Sequence, residues 1–281
     1  MRIPIQDLIH RVCRLRPDWE HQRVSSFIYL EGGYSNDNFR FEYLGERYVL
    51  RVPRRPGGDR ELERRIYATD GYTNGRQRNL PEVVAFDPAS GDMISRWVSG
   101  RLLADLHLDG EQLVEYLRCL HADMPPTERC YDPLAQAREH LRQAPGPGWL
   151  EALADRRWSP DELVVCHNDL NPWNVIRSPA GDWVTLDWET VGRNDPLFDL
   201  VNLHQGADLD QALLPALAER YLGRAVPASR LHACLTAFWL RETTWALAEA
   251  ASGNGRPEIL AQQQLGMERL QALQPNGQPA G

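Results

Sequence analysis

The chain contains no lysine: all 31 of its basic residues other than histidine are arginines. Schiff-base enzymes, pyridoxal phosphate enzymes and nucleotide-binding loops of the G-x-x-x-x-G-K-[ST] type each depend on a lysine amine. The sequence therefore excludes these mechanisms. Any phosphate group that the protein binds must be held by arginine, by backbone amides or by a metal ion.

Cysteine is scarce and follows no disulfide or zinc-binding pattern. The five cysteines are an odd number without C-x-x-C spacing, so we expect reduced thiols: Cys13, Cys119, Cys130, Cys166 and Cys234.

Long apolar runs are also missing. Arg2, Gln6 and Asp7 interrupt the first ten residues, so these lack the apolar run expected of a signal peptide, and no later stretch predicts a membrane span. We expect a cytoplasmic protein.

Positive charge is in the minority. The formal net charge is -8, whereas a protein that binds phosphate backbones normally has a basic face, so we expect no nucleic-acid partner. An acidic chain suits a small, cationic substrate. The length of 281 residues and the apolar fraction of 42% allow one large domain or two lobes.

The first third of the chain has the pattern of a small antiparallel sheet. Runs of aromatic and β-branched residues predict strands at 26–30, 38–43, 47–52, 82–86 and 92–98. A charged amphipathic helix is predicted at 59–69, between the third and fourth strands. These elements predict an N-terminal lobe at 1–98.

The composition then becomes helical, which predicts a C-terminal lobe at 99–281. We expect helices at 110–122 and 133–142, a loop-rich insertion at 144–160, a buried strand at 163–166, further helices from Leu197 onward and a frayed tail at 274–281. The fold class predicted from both lobes is α+β.

Residues 164–189 carry the chemistry and read V-V-C-H-N-D-L-N-P-W-N-V-I-R-S-P-A-G-D-W-V-T-L-D-W-E. Strand-like residues 175–177 and 183–186 flank a turn about Ala180 and Gly181, which predicts a hairpin. In that register Asn174 lies opposite Asp187, and facing residues in an antiparallel pair are about 5 Å apart. A carboxylate and an amide oxygen side by side suit Mg²⁺ together with substrate phosphates. Asp169 on the same loop would accept the proton of an attacking hydroxyl.

The segment H-N-D-L-N-P-W-N followed by L-D-W-E resembles the catalytic loop and metal-binding segment of the choline kinase and aminoglycoside phosphotransferase families, which are relatives of protein kinases. The resemblance implies a two-lobed protein-kinase-like fold with nucleotide bound in the cleft. It also implies that Asp169 orients and deprotonates the acceptor hydroxyl, and that Asn174 and Asp187 bind Mg²⁺.

An earlier segment, E-G-G-Y-S-N, is similar to the G-G-x-[ST]-N phosphate loop of choline kinases, and implies that Gly33, Ser35 and Asn36 approach the nucleotide. Arg51 occupies the place of the protein-kinase strand lysine. Its partner is expected on the following helix, where Glu63 is favoured and Glu61 remains an alternative.

The remaining candidates follow the resemblance less closely. His167 and Asp199 are expected to support the catalytic loop. Glu189, Glu242 and Trp245 are substrate-site candidates. Trp245 resembles a choline kinase substrate tryptophan, but Glu242 stands where a second tryptophan is usual, and a carboxylate also suits primary amines or a thiazolium.

The sequence thus predicts an ATP- and Mg²⁺-dependent kinase that phosphorylates a hydroxyl of a cationic amino alcohol such as choline or ethanolamine. Thiamine kinase and aminoglycoside phosphotransferase are alternatives within the same chemistry. A nucleotide-binding pseudokinase with a regulatory role is the alternative from another class. The choice between ATP and GTP and the oligomeric state stay open.

Overall fold

The computed structural model describes residues 3–33, 35–54, 63, 66–67, 80–107, 109–124 and 126–274. The chain divides into two compact units. The first contains Met1–His107 and Pro172–Glu189, and the second contains Leu108–Asn171 and Thr190–Gly281. The lobes placed at 1–98 and 99–281 stay a prediction, and the compact units assign residues 172–189 to the part of the chain that carries the sheet.

The first unit contains a five-stranded antiparallel sheet, as predicted. Its strands, in the order β1-β2-β3-β5-β4, are β1 (Val24–Leu30), β2 (Asn36–Tyr43), β3 (Glu46–Pro53), β4 (Val83–Phe86) and β5 (Met93–Arg96). The first three strands begin one or two residues before their predicted starts, and β5 is shorter than predicted. The sheet confirms the β part of the predicted fold class.

One face of this sheet is covered by a helix that the sequence analysis did not predict, Ile5–Leu15. Leu8 and Val12 pack from the helix into a core that includes Phe41 and Leu50. Burying this apolar stripe against the sheet provides the stability that a helix of this length lacks in isolation.

A second, three-stranded sheet in the first unit has the order β6-β8-β9, with β6 (Arg101–Leu102), β8 (Val175–Arg177) and β9 (Trp183–Thr185). The predicted hairpin between β8 and β9 is present, but its predicted register is wrong by one residue. Val175 pairs with Thr185, and the amide of Leu186 donates to the carbonyl of Asn174 at 2.7 Å.

The cause of the shifted register lies in the turn. A two-residue turn at Ala180 and Gly181 would require residue 179 to donate a closing hydrogen bond, but Pro179 has no N–H. The chain instead forms a three-residue loop closed by the Ser178 amide on the Asp182 carbonyl at 2.8 Å. Gly181 takes the left-handed conformation, φ +90°, that such a loop needs.

The second unit is mainly helical, as predicted. Two short strands, β7 (Val164–Cys166) and β10 (Gly192–Asn194), form an antiparallel pair beside its helices. The α-helices described in this unit are Gly110–Asp123, Pro133–Gln143, Gly148–Ala154, Pro196–Gly206, Leu214–Leu222, Ala228–Ala251 and Pro257–Ala272.

One helix of the second unit lies where the sequence predicted only a loop. Gly148–Ala154 begins directly after Pro147 and buries Leu150, Leu153 and Ala154. The expectation of a loop over 144–160 was wrong here because the run G-W-L-E-A-L-A is rich in helix-forming residues, and Pro147 stops at the helix boundary, where proline is tolerated.

Two predictions fall largely outside the described residues. Of the helix expected at 59–69, the structure describes Glu63, Ile66 and Tyr67, all three helical. Of the tail at 274–281, it describes Gln274 alone. Within the described part of the chain, no helix combines the length and apolar character required to cross a bilayer.

Candidate active site

Arg51 on β3 forms a buried ion pair with Glu63. Nη2 of Arg51 lies 2.5 Å from Oε1 of Glu63, and the two side chains are 6% and 2% exposed. Burial alone would lower the pKa of Arg51, but its electrostatic interactions with Tyr67, Glu63 and Asp187 raise it above its ordinary value. The guanidinium is therefore permanently charged. Glu63 is the carboxylate that the structure places on Arg51, while Glu61 lies outside the described residues.

Arg51 also faces the predicted metal-binding aspartate. Nη1 of Arg51 lies 3.7 Å from Oδ1 of Asp187. Asp187 lies two residues after the end of β9 and has φ +61°, which is unusual for a residue other than glycine. Such strain is concentrated at functional positions in proteins. The first unit thus brings together three predicted site residues, Arg51, Glu63 and Asp187.

Two other arginines of the first unit, Arg54 and Arg96, pair with carboxylates other than Glu63 and Asp187. Arg54 donates to Oδ1 of Asp37 at 2.9 Å from Nη2. Arg96 forms ion pairs with Glu82 at 2.8 Å and Glu46 at 3.5 Å. Neither pairing involves the partners of Arg51.

The glycine-containing loop has a backbone that requires glycine. Gly32 has φ +109°. A Cβ on Gly33 would lie 2.4 Å from the carbonyl oxygen of Asn36, closer than such atoms can approach. Asn36 is buried at the start of β2, and the carbonyl of Ser35 accepts from the amide of Arg54 at 3.0 Å. The loop is therefore folded tightly on itself at Gly33.

Asn174 is not directly opposite Asp187 in the hairpin, but it faces the residue next to Asp187. Asn174 ends the 3-10 turn Pro172–Asn174 and faces Leu186, the residue before Asp187. An amide oxygen and a carboxylate are hard oxygen ligands, and this donor set fits Mg²⁺ better than a soft or thiolate-binding metal. The chemistry of the two side chains is therefore compatible with the predicted metal.

Asp199 holds the loop of the second unit that carries Asp169, the candidate proton acceptor. Its Oδ2 accepts from the amide of His167 and its Oδ1 from the amide of Asn168, both at 2.7 Å. Nε2 of His121 lies 2.9 Å from Oδ2 of Asp199, and Nδ1 of His121 lies 2.6 Å from the hydroxyl of Tyr221. Asp199 is thus a fully buried carboxylate that fixes two consecutive loop amides.

Asn168 is a residue whose importance the sequence analysis missed. It is fully buried and has φ +69°, and its Nδ2 lies within 3.1 Å of the carbonyls of Cys166, Thr190 and Gly192. The side chain thus ties the loop to β7 and to the chain entering β10. Asparagine tolerates the left-handed conformation better than most residues, which was the available signal.

Arg241 is the second residue that was missed. Its guanidinium contacts the carbonyl of Asn168 and lies 3.5 Å from Oδ1 of Asp169. The same side chain forms a 2.7 Å ion pair with Glu242. A single arginine in the apolar segment F-W-L-R-E-T-T-W of a long helix was the available signal.

The predicted substrate residues are assigned to different units. Glu242 accepts from Arg241 and from Nε2 of Gln262 at 3.3 Å, and burial raises the pKa of its carboxyl. Trp245 is partly buried on the same helix, three residues further on, while Glu189 ends the segment that belongs to the first unit. Trp173, which is 59% exposed, is not a core residue.

The predicted site residues therefore fall into two sets. Gly33, Ser35, Asn36, Arg51, Glu63, Asn174, Asp187 and Glu189 belong to the first unit, and His167, Asp169, Asp199, Glu242 and Trp245 belong to the second. The nucleotide and metal candidates share one unit. The candidate proton acceptor, Asp169, shares the other with Glu242 and Trp245.

Two curated relatives match part of this sequence. Protein LicA of Haemophilus influenzae is 27% identical over 222 residues, which cover 72% of this chain and 64% of that protein. An aminoglycoside 3'-phosphotransferase of Streptomyces fradiae is 32% identical over 136 residues, which cover 41% of this chain and 51% of that protein. The chain thus spans less than two-thirds of the length of either relative.

Solved structures share the fold over most of the chain. A choline/ethanolamine kinase family protein from Mesorhizobium loti superposes with a TM-score of 0.67 at 20% identity, covering 97% of this chain and 95% of that one. Choline kinase LicA from Streptococcus pneumoniae gives a TM-score of 0.70 at 16% identity, with 95% and 99% covered. LicA in complex with AMP gives 0.68 at 15% identity, with 89% and 93% covered. These likenesses confirm the predicted protein-kinase-like fold.

The sequence also matches a family model. The model, described as the phosphotransferase enzyme family (APH), matches residues 26–238, from β1 to the middle of the helix Ala228–Ala251. The matched region contains the glycine loop, Arg51, the loop that carries Asp169, and Asp187. The resemblance to choline kinases and aminoglycoside phosphotransferases is confirmed, and the chain belongs to the phosphotransferase enzyme family.

Proposed function

We propose that this protein is an ATP-dependent kinase that transfers the γ-phosphate to a hydroxyl of a small cationic amino alcohol resembling choline or ethanolamine. The observation that carries the proposal is the setting of Asp169. Its carboxylate is 37% exposed, on a loop that Asp199 and Arg241 hold from two sides. An accessible carboxylate on a fixed backbone is what a positioned general base requires.

The proposed reaction uses Asp169 as the proton acceptor. The acceptor hydroxyl gives its proton to the Asp169 carboxylate while its oxygen forms a bond to the γ-phosphorus. The bond between that phosphorus and the bridging oxygen of ADP breaks, and ADP leaves with the electron pair. Catalysis of this kind depends mainly on positioning and charge stabilisation, because the protein forms no covalent intermediate.

The phosphates are assigned to the first unit. Arg51, fixed by Glu63, would hold the phosphates of the nucleotide, and the backbone at Gly33, Ser35 and Asn36 would cover them. Asn174 and Asp187 would hold Mg²⁺, which supplies neutralisation of the phosphate charge when bound. A neighbour solved with AMP supports a nucleotide as the donor.

The cationic acceptor is the most specific part of the proposal. Asp169 and Glu242 carry two negative charges around the single positive charge of Arg241, so the acceptor side of the site keeps a net negative charge. A monocationic substrate would balance it. A neighbour named as a choline kinase supports this class. We also propose a cytoplasmic location and no nucleic-acid partner.

Two alternatives use the same residues. Thiamine and aminoglycosides are also cationic alcohols, and a curated relative is named as an aminoglycoside phosphotransferase. A nucleotide-binding pseudokinase would retain the fold without turnover. The sequence retains the candidate base Asp169, the candidate metal ligands Asn174 and Asp187 and the buried Arg51, which favours an active enzyme.

A substrate panel tests the proposal. Choline, ethanolamine, thiamine and kanamycin are each incubated with γ-labelled ATP, then GTP, and Mg²⁺, and phosphorylated products are resolved by chromatography. Product from choline or ethanolamine that disappears in Asp169→Asn supports the proposal. If only thiamine or kanamycin gives a product, the acceptor is of that class and the proposed amino-alcohol acceptor is wrong. Nucleotide binding without any product across the panel would favour the pseudokinase.

A further inference from the structure

Arg241 has an acceptor for every N–H group of its guanidinium. Nε donates to Oε1 of Glu242 at 2.9 Å, and Nη2 lies 2.7 Å from Oδ1 of Asn202 and 3.5 Å from Oδ1 of Asp169. Nη1 donates to the hydroxyl of Tyr131 at 3.2 Å and to the carbonyl of Asn168. An arginine with this many partners has no donor left for a substrate phosphate or carboxylate.

The packing around Arg241 fixes the guanidinium in one place. The residue is 5% exposed, and the central guanidinium carbon, Cζ, lies 5.2 Å from the centre of the Phe198 ring and 5.7 Å from that of Phe238. A planar guanidinium stacks well on such rings. Arg241 is thus a buried, immobile charge.

The partners of Arg241 belong to two functional elements. The carbonyl of Asn168 and the carboxylate of Asp169, 3.5 Å away, are parts of the catalytic loop. Glu242, the adjacent residue on the helix Ala228–Ala251, is the candidate for binding the cation of the acceptor. We infer that Arg241 is a positioning residue that holds the proton-accepting loop and the cation-binding carboxylate in one fixed arrangement.

This inference rests on the proposed function for the roles of Asp169 and Glu242. The contacts of Arg241 with these residues do not depend on that proposal. Its consequence is a constraint on the acceptor, because one rigid group fixes both Asp169 and Glu242. The acceptor must therefore present its hydroxyl and its cation at a matching separation. Loss of Arg241 should release the loop and lower turnover without affecting the nucleotide.

Arg241→Lys is the variant that tests the inference. Lysine retains the charge but lacks the planar fork, so it cannot satisfy acceptors on several sides. Hydrogen exchange of the 164–171 peptide, measured by mass spectrometry in the full-length protein, should become about tenfold faster or more. With choline, ATP and Mg²⁺ as the probe, kcat should fall about a hundredfold, the scale expected when a reacting group is misplaced by about 1 Å. KM for ATP should stay within about threefold of the parent value.

A matched control lies on the same helix. Arg230 is also buried and forms a two-point pair with Asp195 at 2.7 and 2.8 Å, but none of its described contacts is with the loop 167–169. Arg230→Lys should lower the melting temperature while the exchange rate of the 164–171 peptide and kcat stay within about threefold of the parent. A merely structural role for Arg241 would make the two variants behave alike.

Each outcome decides the inference. Faster loop exchange with reduced kcat in Arg241→Lys alone supports it, and unchanged loop exchange in a folded Arg241→Lys overturns it. If Arg241→Lys does not fold, Asn202→Ala removes the 2.7 Å acceptor instead, and unchanged exchange of the 164–171 peptide there overturns the inference. If the parent protein phosphorylates no acceptor, the proposed function fails, while the exchange measurements still decide whether Arg241 holds the loop.

Discussion

Nη2 of Arg51 lies 2.5 Å from Oε1 of Glu63, and the same guanidinium lies 3.7 Å from Oδ1 of Asp187. A buried ion pair contributes little net stability, because the cost of removing both charges from water offsets their attraction. Its effect here is geometric. Glu63 holds the arginine that faces the candidate metal ligand, so the arrangement of charge on the proposed phosphate side depends on a helical residue that follows β3 in the chain.

Arg51→Ala should weaken ATP binding and slow phosphate transfer together, because a positioned charge acts on both the bound nucleotide and the transition state. Arg51→Lys should restore only part of the activity, since a point charge lacks the two-point geometry of a guanidinium. Calorimetry with ATP and Mg²⁺ and steady-state kinetics measure both effects. Arg96→Ala is the control, because Arg96 pairs with Glu82 and Glu46. Parent-like binding and turnover in Arg51→Ala would mean that another arginine holds the phosphates.

Asp169→Asn should reduce kcat about a hundredfold or more while the melting temperature and ATP affinity stay close to those of the parent. The amide retains the shape of the side chain but cannot accept the proton of the hydroxyl. Turnover of labelled ATP in the presence of acceptor measures the effect. Asp161→Asn, at an exposed acidic residue of the same unit, is the matched control. Equal kcat values in the two variants would remove Asp169 from the mechanism.

Asp187→Ala should abolish the magnesium dependence of ATP binding, because Asp187 is the carboxylate assigned to the metal. Titration of ATP affinity against Mg²⁺, with and without EDTA, measures it. Asp182→Asn changes an exposed aspartate in the loop of the same hairpin and should retain the parent response. A tight, magnesium-dependent complex in Asp187→Ala would place the metal on other residues.

Gly33→Ala should weaken ATP binding, because the added Cβ would lie 2.4 Å from the carbonyl oxygen of Asn36 and force the loop to open. Gly148→Ala is the matched control, because a Cβ at that position meets no atom within 4 Å. Calorimetry compares the two variants with the parent. An unchanged affinity in Gly33→Ala would separate the shape of this loop from nucleotide binding.

We expect the protonation of His140 to destabilise the folded protein in mild acid. Burial, assisted by the charge of Arg241, lowers the pKa of His140 from 6.5 to about 4. The unfolded chain then binds the proton more tightly than the folded protein, so the stability is fully present above about pH 6.5 and falls as the pH approaches 4. The loss between pH 7 and pH 5 should be about 2 kcal/mol.

Urea unfolding of the parent and of His140→Gln at both pH values isolates this contribution. Burial also lowers the pKa of His204, so the pH dependence of the unfolding free energy of the parent does not come from His140 alone. The contribution of His140 is therefore the difference in this pH dependence between the parent and His140→Gln. His232→Gln, at an exposed position of the helix Ala228–Ala251, should retain the full parent slope. If His140→Gln loses as much stability between pH 7 and pH 5 as the parent does, the loss does not come from His140.

The hairpin between β8 and β9 marks the limit of reasoning from local pattern. The alternation of apolar residues predicted both strands, but the register depended on whether the turn contained two or three residues. Pro179 decided this through a missing backbone donor. The helix Gly148–Ala154 was missed for a related reason, since the neighbouring prolines and glycines outweighed a short run of helix-forming residues.

The sequence by itself determined the fold class, the family resemblance and the chemical identity of the candidate groups, because short motifs such as G-G-Y-S-N and H-N-D-L-N-P-W-N encode local backbone geometry. The absence of lysine left arginine as the side chain to hold phosphate. Only the tertiary structure selected the partners of these groups. Arg241 reaches acceptors 39, 73 and 110 residues away along the chain, and Asp199 binds amides 31 and 32 residues away. No local pattern specifies such contacts, because they arise only when the packing of helices brings distant segments within hydrogen-bonding distance.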